Sequence, residues 1–364
     1  MKNPTVLKYI SDQPRALRDV LDRKKVFVDP FLEVLNKNRI KKILFFGSGT
    51  SYNVSTIAAH YFKHIVGIDS SGNYPTAFKN YEKADWTGLL NKDEILFVGI
   101  SQSGTSRSTI DVMKDAKSKG YKTIALTEDL ESEITKHVDT VIHLLCGKEL
   151  TPPETRGYTV SVITMLIWAI EASKLYGKMD EDELEKFYNE IRYLADNYEK
   201  VLEESRDWYN RNATTIVNSD RIYVLGYGVD YGSMLEGMLK VGEMLRLPTI
   251  GYELEEYVHG PTMAISPRQT IIIIGSDETE FERADMFREV FKKYTPRVHM
   301  LTCNAINKDS RDLEFSIKVN KYIAPLVYTV PFQYISAQGA LDINIDTNID
   351  PFDESLGHLS DEEK

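Results

Sequence analysis

Ile95-Leu96-Phe97-Val98-Gly99-Ile100-Ser101-Gln102-Ser103-Gly104-Thr105-Ser106 is the stretch on which the reading of the whole chain turns. Its first six residues are apolar or Gly and carry no charge, which predicts a strand buried on both faces of a parallel sheet. Small hydroxyl residues follow, and Arg107 to Lys117 reads as a helix. A strand that breaks into such a turn and opens a helix makes an anion cradle. First-turn amides point at the ligand, hydroxyls add donors, and Gly104 lets the backbone come close. An ordinary N-cap needs one hydroxyl; Ser101, Ser103, Thr105 and Ser106 supply four in six residues, so the stretch is read as a phosphate site.

On either side the same grammar recurs. Residues 1–38 read as amphipathic helix, with Pro14 near a helix start. Lys42–Phe46 is a strand ending in the turn Gly47-Ser48-Gly49-Thr50-Ser51, and a helix runs from Tyr52 to about Ile65. Lys122–Thr127 and Val141–Leu145 are further strands, and after a polar loop an apolar helix covers Tyr158 to about Leu175. Strands alternating with helices predict a parallel sheet covered on both faces. Asp180 to about Asn212 is a charged helical connector, after which the pattern restarts. The glycines of Arg221–Gly228 fall 226 − 47 = 179 and 228 − 49 = 179 positions after their counterparts. Thr270–Gly275 answers the strand at Ile95, Val298–Thr302 answers Thr123–Thr127, and Ile317–Asn320 answers Val141–Leu145. The chain therefore reads as two copies of one α/β unit. In the second, Ser276-Asp277-Glu278 stands where the hydroxyl cradle was, and two acids there would repel a phosphate.

Composition narrows the function classes. The 364 residues are 42% hydrophobic and 27% charged, with 44 basic against 55 acidic side chains and a net charge of −11. That balance disfavours nucleic acid or an anionic membrane as the main partner, so a phosphate must be held by local donors. Cys146 and Cys303 stand far apart and read as reduced cytosolic thiols. The apolar stretch at Val160–Ile170 is interrupted by Ser161 and Thr164 and reads as too short to span a bilayer. No metal-ligand spacing is present, and the turns at Gly47 and Gly226 lack the third Gly of a dinucleotide fingerprint, so no cofactor is expected.

The helix after Gly228 carries a second signal. Glu236, Lys240 and Glu243 fall at i, i+4 and i+7 on one face, while the other positions are apolar or Gly. This predicts a helix buried except for one acid–base–acid stripe. The stripe is either a structural pair of Glu236 with Lys240 or the wall of a ligand cavity. A carboxylate among apolar neighbours suits proton transfer near neutral pH. His259, in the loop ahead of Gly260-Pro261, is a candidate partner, whereas His60, His64, His137 and His143 read as structural or exposed. Glu149, Thr155 and Arg156 lie in the loop before the Tyr158 helix, and Glu149 and Arg156 are candidate substrate contacts.

Taken in order, Tyr9–Leu17, Gly49-Thr50-Ser51, Ser101-Gln102-Ser103-Gly104, Leu235–Glu243 and His259-Gly260-Pro261 resemble the sugar isomerase (SIS) domain family in its tandem form. They are most similar to the isomerase half of glucosamine-6-phosphate synthase and to fructosamine-6-phosphate deglycases. The resemblance implies two tandem three-layer αβα domains, at 39–179 and 215–345, with helical segments at 1–38 and 180–214 and a tail at 346–364. It implies that Ser51, Ser101, Gln102, Ser103 and Ser106, with Gly49 and Thr50 beside them, hold a sugar 6-phosphate. It further implies that Glu243, together with Glu236 and Lys240, moves protons between C1 and C2. His259 would come from the partner subunit of a homodimer. Position 2 holds Lys2 rather than a glutaminase cysteine, and the tail has Gly357 or His358 where the synthases carry a Schiff-base lysine, Lys364 lying too late. These departures favour a substrate that already carries its nitrogen, a ketosamine 6-phosphate. A stand-alone isomerase or deaminase, or a phosphosugar-sensing regulator, are the alternatives.

Overall fold

The computed structural model describes residues 5–275, 279–306, 309–349 and 351–352. Contacts divide the chain into two compact units. One is built mainly from Arg15–Glu149 and Arg156–Arg192; the other takes the segment up to Pro14, Leu150–Thr155 and Tyr193–Ile349. The first unit holds β1 (Lys42–Phe46), β2 (Asp69–Asn73), β3 (Ile95–Ile100), β4 (Lys122–Thr127) and β5 (Thr140–His143), all parallel in the order β2-β1-β3-β4-β5. All six residues of β3 are buried, as an uncharged run at the middle of a covered sheet requires.

The second unit repeats the plan. Its strands β6 (Arg221–Gly226), β7 (Thr249–Glu253), β8 (Gln269–Gly275), β9 (Val298–Thr302) and β10 (Leu313–Glu314) are parallel in the order β7-β6-β8-β9-β10. The fold class expected from the sequence, two tandem α/β units with helix-covered parallel sheets, is the one observed. Two details differ. The last strand is Leu313–Glu314, not Ile317–Asn320, because Phe315 N closes the ladder on Thr302 O and the chain then leaves the sheet. The edge strands β2 and β7 were not anticipated; β2 reads Asp-Ser-Ser-Gly-Asn and has no apolar run to announce it.

Helices explain the rest of each core. Arg156–Leu175 is 20 residues long, enough to cross a membrane by length and composition, yet 17 of those residues are buried within its unit. It is a core helix, laid against Lys25–Asn38 and Thr50–Tyr61. Pro14 lies inside the helix Val6–Asp22 rather than at a start. The missing amide of Pro14 would leave the Ile10 carbonyl without its helical donor; Gln13 Nε2 donates to that carbonyl at 3.2 Å and to Gln333 Oε1 at 2.7 Å. The connector is one helix, Glu181–Val217, opened by a reciprocal pair in which Asp180 N donates to Glu183 Oε2 and Glu183 N to Asp180 Oδ1.

Both units share one irregularity. The helix after β1 ends in a π turn, Phe62–Val66, and the helix after β6 ends in a π turn, Val241–Leu245, 241 − 62 = 179 positions later. Each is followed by a left-handed residue, Gly67 at φ 76° and Arg246 at φ 56°. The repeat is therefore conformational as well as sequential.

Candidate functional site

In a parallel sheet of order 2-1-3-4-5 the direction in which successive strands are added reverses between β1 and β3, and ligands of such sheets bind in the crevice beyond the carboxyl ends of those strands. The loops there are Gly47–Ser51 and Ser101–Ser106, the two hydroxyl-rich turns, joined by a 3.1 Å contact between Ser48 Oγ and Ser108 Oγ. Gly47 is obligatory, since a Cβ would lie 2.5 Å from the Ser51 carbonyl carbon. Gly49 adopts φ 55° and starts the helix Thr50–Tyr61 with Ser51 in its first turn.

In the second turn Ser101 Oγ accepts from Gly104 N at 3.1 Å, and Ser103 Oγ meets Thr105 Oγ1 at 2.8 Å. Gly104 sits at φ 69°, and a Cβ there would come within 1.9 Å of Ser132 Oγ. Its closeness thus serves packing against Ser132, where the sequence reading assigns it to the approach of a ligand. Ser106 occupies the N-cap of Arg107–Ser118 without a capping bond from its side chain; its hydroxyl meets Thr109 Oγ1 at 3.2 Å. An ordinary cap would have used that hydroxyl on a first-turn amide.

Glu149 and Arg156 both make hydrogen bonds within the protein. Glu149 Oε1 accepts from Gly157 N at 2.7 Å and from Gln102 Nε2 at 3.4 Å. Glu149 is thus an acid at the start of the Arg156–Leu175 helix, where the dipole favours it, and it anchors the amide of a cradle residue. Gln102 is 9% exposed and leans on Gly157 so closely that a Cβ there would sit 1.5 Å from Gln102 Oε1. Arg156 is buried, and its Nη2 donates to Lys148 O at 3.2 Å.

In the second unit the position of Ser51 is taken by Asp230, 230 − 51 = 179 residues on, with 1% exposure and a 3.2 Å bond from Ser233 Oγ. The acids foreseen at Asp277 and Glu278 lie outside the described residues.

The acid–base–acid stripe is placed differently from the expected open face. Glu236 and Lys240 are 1% and 2% exposed, and only Glu243 opens outward, its side chain 33% exposed. Lys240 Nζ is 3.5 Å from Glu236 Oε1 and 2.5 Å from Glu243 Oε1, so its nearer partner is Glu243, not Glu236. The i+7 spacing assumed a continuous α-helix, whereas the backbone passes into the π turn after Lys240. Burial opposes the charge of Lys240, but Glu236, Glu243 and Glu154 overcome it and hold its pKa above the usual lysine value. Glu154 had no signal in the sequence and was not singled out there. The first-half counterparts of Glu236, Lys240 and Glu243 are Ile57, Tyr61 and His64, so the fold itself does not demand these charges.

His259 ends a short 3₁₀ turn, Glu256–Val258, and is exposed, with Gly260 after it at φ 138°. Glu255, within electrostatic reach of His259, is clasped by Arg283 Nε at 2.5 Å and Nη2 at 3.0 Å, which holds its carboxyl below the ordinary range.

Doubly wound sheets in tandem, hydroxyl turns at the first switch point and a buried ammonium between carboxylates define a class of duplicated α/β proteins. The model of the SIS domain matches residues 38–170 and 215–341, and the chain belongs to that family. It is 25% identical over 358 residues to the glutamine–fructose-6-phosphate aminotransferase (isomerizing) of Clostridium tetani, covering 94% of this chain and 58% of that protein. The chain thus spans little more than half the length of the curated relatives it matches. A candidate phosphosugar isomerase from Clostridium difficile 630 superposes with TM-score 0.89 at 26% identity, covering 100% of this chain and 99% of the other. The C-terminal domain of glucosamine-fructose-6-phosphate aminotransferase from Francisella tularensis has the same fold, with TM-score 0.83 at 19% identity over 96% and 98% of the two chains.

Proposed function

We propose that this protein is a phosphosugar-processing enzyme that deglycates ketosamine 6-phosphates, releasing a hexose 6-phosphate and an amine. The observation that carries the reading is Glu243, a partly exposed carboxylate hydrogen-bonded by a buried ammonium in a π turn of the second unit. Glu243 removes a proton from C1 of the open-chain ketosamine while the C2 oxygen takes up a proton, giving an enaminol; the carboxylic acid then returns its proton to C2 as the nitrogen releases its own. The C1–N bond is then an imine; water adds to its carbon, the C–N bond breaks, and the amine leaves with the proton it needs. Lys240 keeps a fixed positive charge against the Glu243 carboxylate. The 6-phosphate is assigned to Ser51, Ser101, Gln102, Ser103 and Ser106, all neutral donors. His259, supplied by a second subunit, assists ring opening in this reading. Residues 346–363 contain no lysine to form a Schiff base with a free ketose, which supports a substrate that brings its own nitrogen.

Likeness to isomerising aminotransferases supports a second reading, aldose–ketose isomerisation of fructose 6-phosphate by the same C1/C2 proton transfer. Incubation with a panel of N-substituted fructosamine 6-phosphates, following free amine and hexose 6-phosphate, separates the two. Amine release supports deglycation. Interconversion of fructose 6-phosphate and glucose 6-phosphate without amine release from any ketosamine supports the isomerase, and no turnover of either class refutes both.

A further inference from the structure

The five residues assigned to the phosphate differ in what they offer it. A serine hydroxyl turns to donate or to accept, so Ser51, Ser101, Ser103 and Ser106 adapt to an anion or to a neutral group. The amide of Gln102 has no such freedom. One end donates, the other accepts, and the two ends have nearly the same shape. A partner must decide which end faces where.

Gln102, Glu149 and Gly157 belong to one compact unit. Gln102 is 9% exposed, and its backbone carbonyl is held by bonds from Glu128 N and Thr127 Oγ1. Its Nε2 donates to Glu149 Oε1 at 3.4 Å. Its Oε1 is buried over Gly157 and has no hydrogen-bond donor among the described residues. A buried carbonyl left so is costly, yet turning the amide over gives a worse arrangement. Oε1 would then lie against a carboxylate oxygen, acceptor facing acceptor, and the bond to Glu149 would be lost. The carboxylate therefore decides the sense of the amide.

Glu149 is itself held. Its Oε1 accepts from Gly157 N at 2.7 Å and its Oε2 from Arg156 N at 3.4 Å, the first two amides of the Arg156–Leu175 helix. A helix start stabilises a carboxylate as an ion, and an ionised carboxylate only accepts. An amide in its place would carry a donor as well.

We propose that Glu149 is a positioning residue that fixes the sense of the Gln102 amide, so that the amide offers N–H rather than carbonyl oxygen to a phosphate. This role rests on the assignment of Gln102 to the 6-phosphate and adds what makes that contact selective for an anion. Glu149 takes one N–H of Nε2 and leaves the second for the ligand, which Glu149 itself does not touch.

A double-mutant cycle on the full chain, read by calorimetry with fructose 6-phosphate and with inorganic phosphate, tests this. Gln102→Met removes the amide and should weaken fructose 6-phosphate binding by roughly 10- to 150-fold, one charge-assisted hydrogen bond. Glu149→Gln keeps a carbonyl for Gly157 N but turns its own NH2 toward Gln102 and reverses that amide. It should weaken binding by at least as much, and should cost nothing further in the Gln102→Met background. A merely structural Glu149 would instead lower affinity by one factor in both backgrounds, together with the urea midpoint, and that result overturns the proposal. So does normal affinity in Glu149→Gln where Gln102→Met binds weakly; the phosphate site then stands without it. If Glu149→Gln does not fold, Glu149→Asp takes its place in the cycle, keeping the charge at the helix start but drawing it back from Gln102 by one methylene. Undiminished affinity in Gln102→Met overturns the assignment of Gln102 and the proposal with it. A wild-type protein that binds neither ligand overturns the phosphosugar reading itself.

Discussion

Replacing Gly157 by Ala tests the cradle without touching a hydroxyl. The added methyl would lie 1.5 Å from Gln102 Oε1, 2.5 Å from Cδ and 2.9 Å from Nε2. Ordinary non-bonded contact begins near 3.5 Å, so the amide must withdraw by about 2 Å. The Gln102 backbone is pinned, its carbonyl accepting from Glu128 N at 3.1 Å and Thr127 Oγ1 at 3.3 Å, so displacement falls on the side chain and breaks its bond to Glu149. If Gln102 is a phosphate ligand, one charge-assisted hydrogen bond is lost, about 1.5–3 kcal/mol. That corresponds to roughly 10- to 150-fold weaker binding of a phosphosugar. Stability should change less, because crowding costs about 1–3 kcal/mol while alanine is the better helix former by up to about 1 kcal/mol. Calorimetry with fructose 6-phosphate reads the affinity, and urea unfolding reads the fold. Unchanged affinity in a protein of normal stability would show that Gln102 is no part of the phosphate site.

Other outcomes follow from the same geometry. Glu243→Gln should lower ketosamine turnover by about 10²–10⁴-fold at nearly constant ligand affinity, measured by steady-state kinetics and calorimetry. Gly104→Ala combines a left-handed φ with a 1.9 Å approach to Ser132 Oγ and should cost about 2–4 kcal/mol in denaturant unfolding. His299 is fully buried, and desolvation pushes its pKa down to about 4. The unfolded chain then binds the extra proton between about pH 6.5 and 4, so stability falls as pH drops through that window. The loss has a ceiling of about 3 kcal/mol, and His299→Asn, which keeps a donor for Arg311 O, should flatten this part of the urea-midpoint profile against pH. Mixed His259→Ala and Glu243→Ala chains should regain activity after subunit exchange, if His259 is supplied by a partner; no recovery despite proven exchange would place the site within one chain.

What could be read from the sequence follows from what burial does to residue choice. A strand covered on both faces must be apolar throughout, so β3, β4 and β8 announced themselves, and so did the repeat they belong to. β2 and β7 lie at sheet edges and bury little, and pairing alone leaves no hydrophobic trace. Ile317-Lys318-Val319 alternates like a strand, but its alternation serves a packed loop. The hydroxyl turn stands out in the sequence as four hydroxyls in six residues, but the local bonds that Ser101, Ser103, Thr105 and Ser106 make could not be read there. Glu149 and Arg156 were visible as charges, but their bonds to a helix start and a loop carbonyl left no pattern in the sequence. The π turn holding Glu243 follows no residue pattern; the same distortion forms on Phe-Lys-His-Ile-Val in one half and Val-Gly-Glu-Met-Leu in the other.

Ser51 and Asp230 hold the same station in the two halves, one polar and neutral, the other a carboxylate sealed from water. A protein assembled from two identical copies of one half would have to satisfy both demands with a single residue. Fusion of the copies into one chain removes that conflict, and each half becomes free to specialise. The mark of such divergence is a reversal of phenotype at homologous positions. Loss of the hydroxyl at Ser51 should impair ligand binding in a well-folded protein, while loss of the carboxylate at Asp230 should surface as poor yield and early melting. Tolerance to substitution in this chain would then be set by which ancestral copy a residue descends from as much as by its place in the fold.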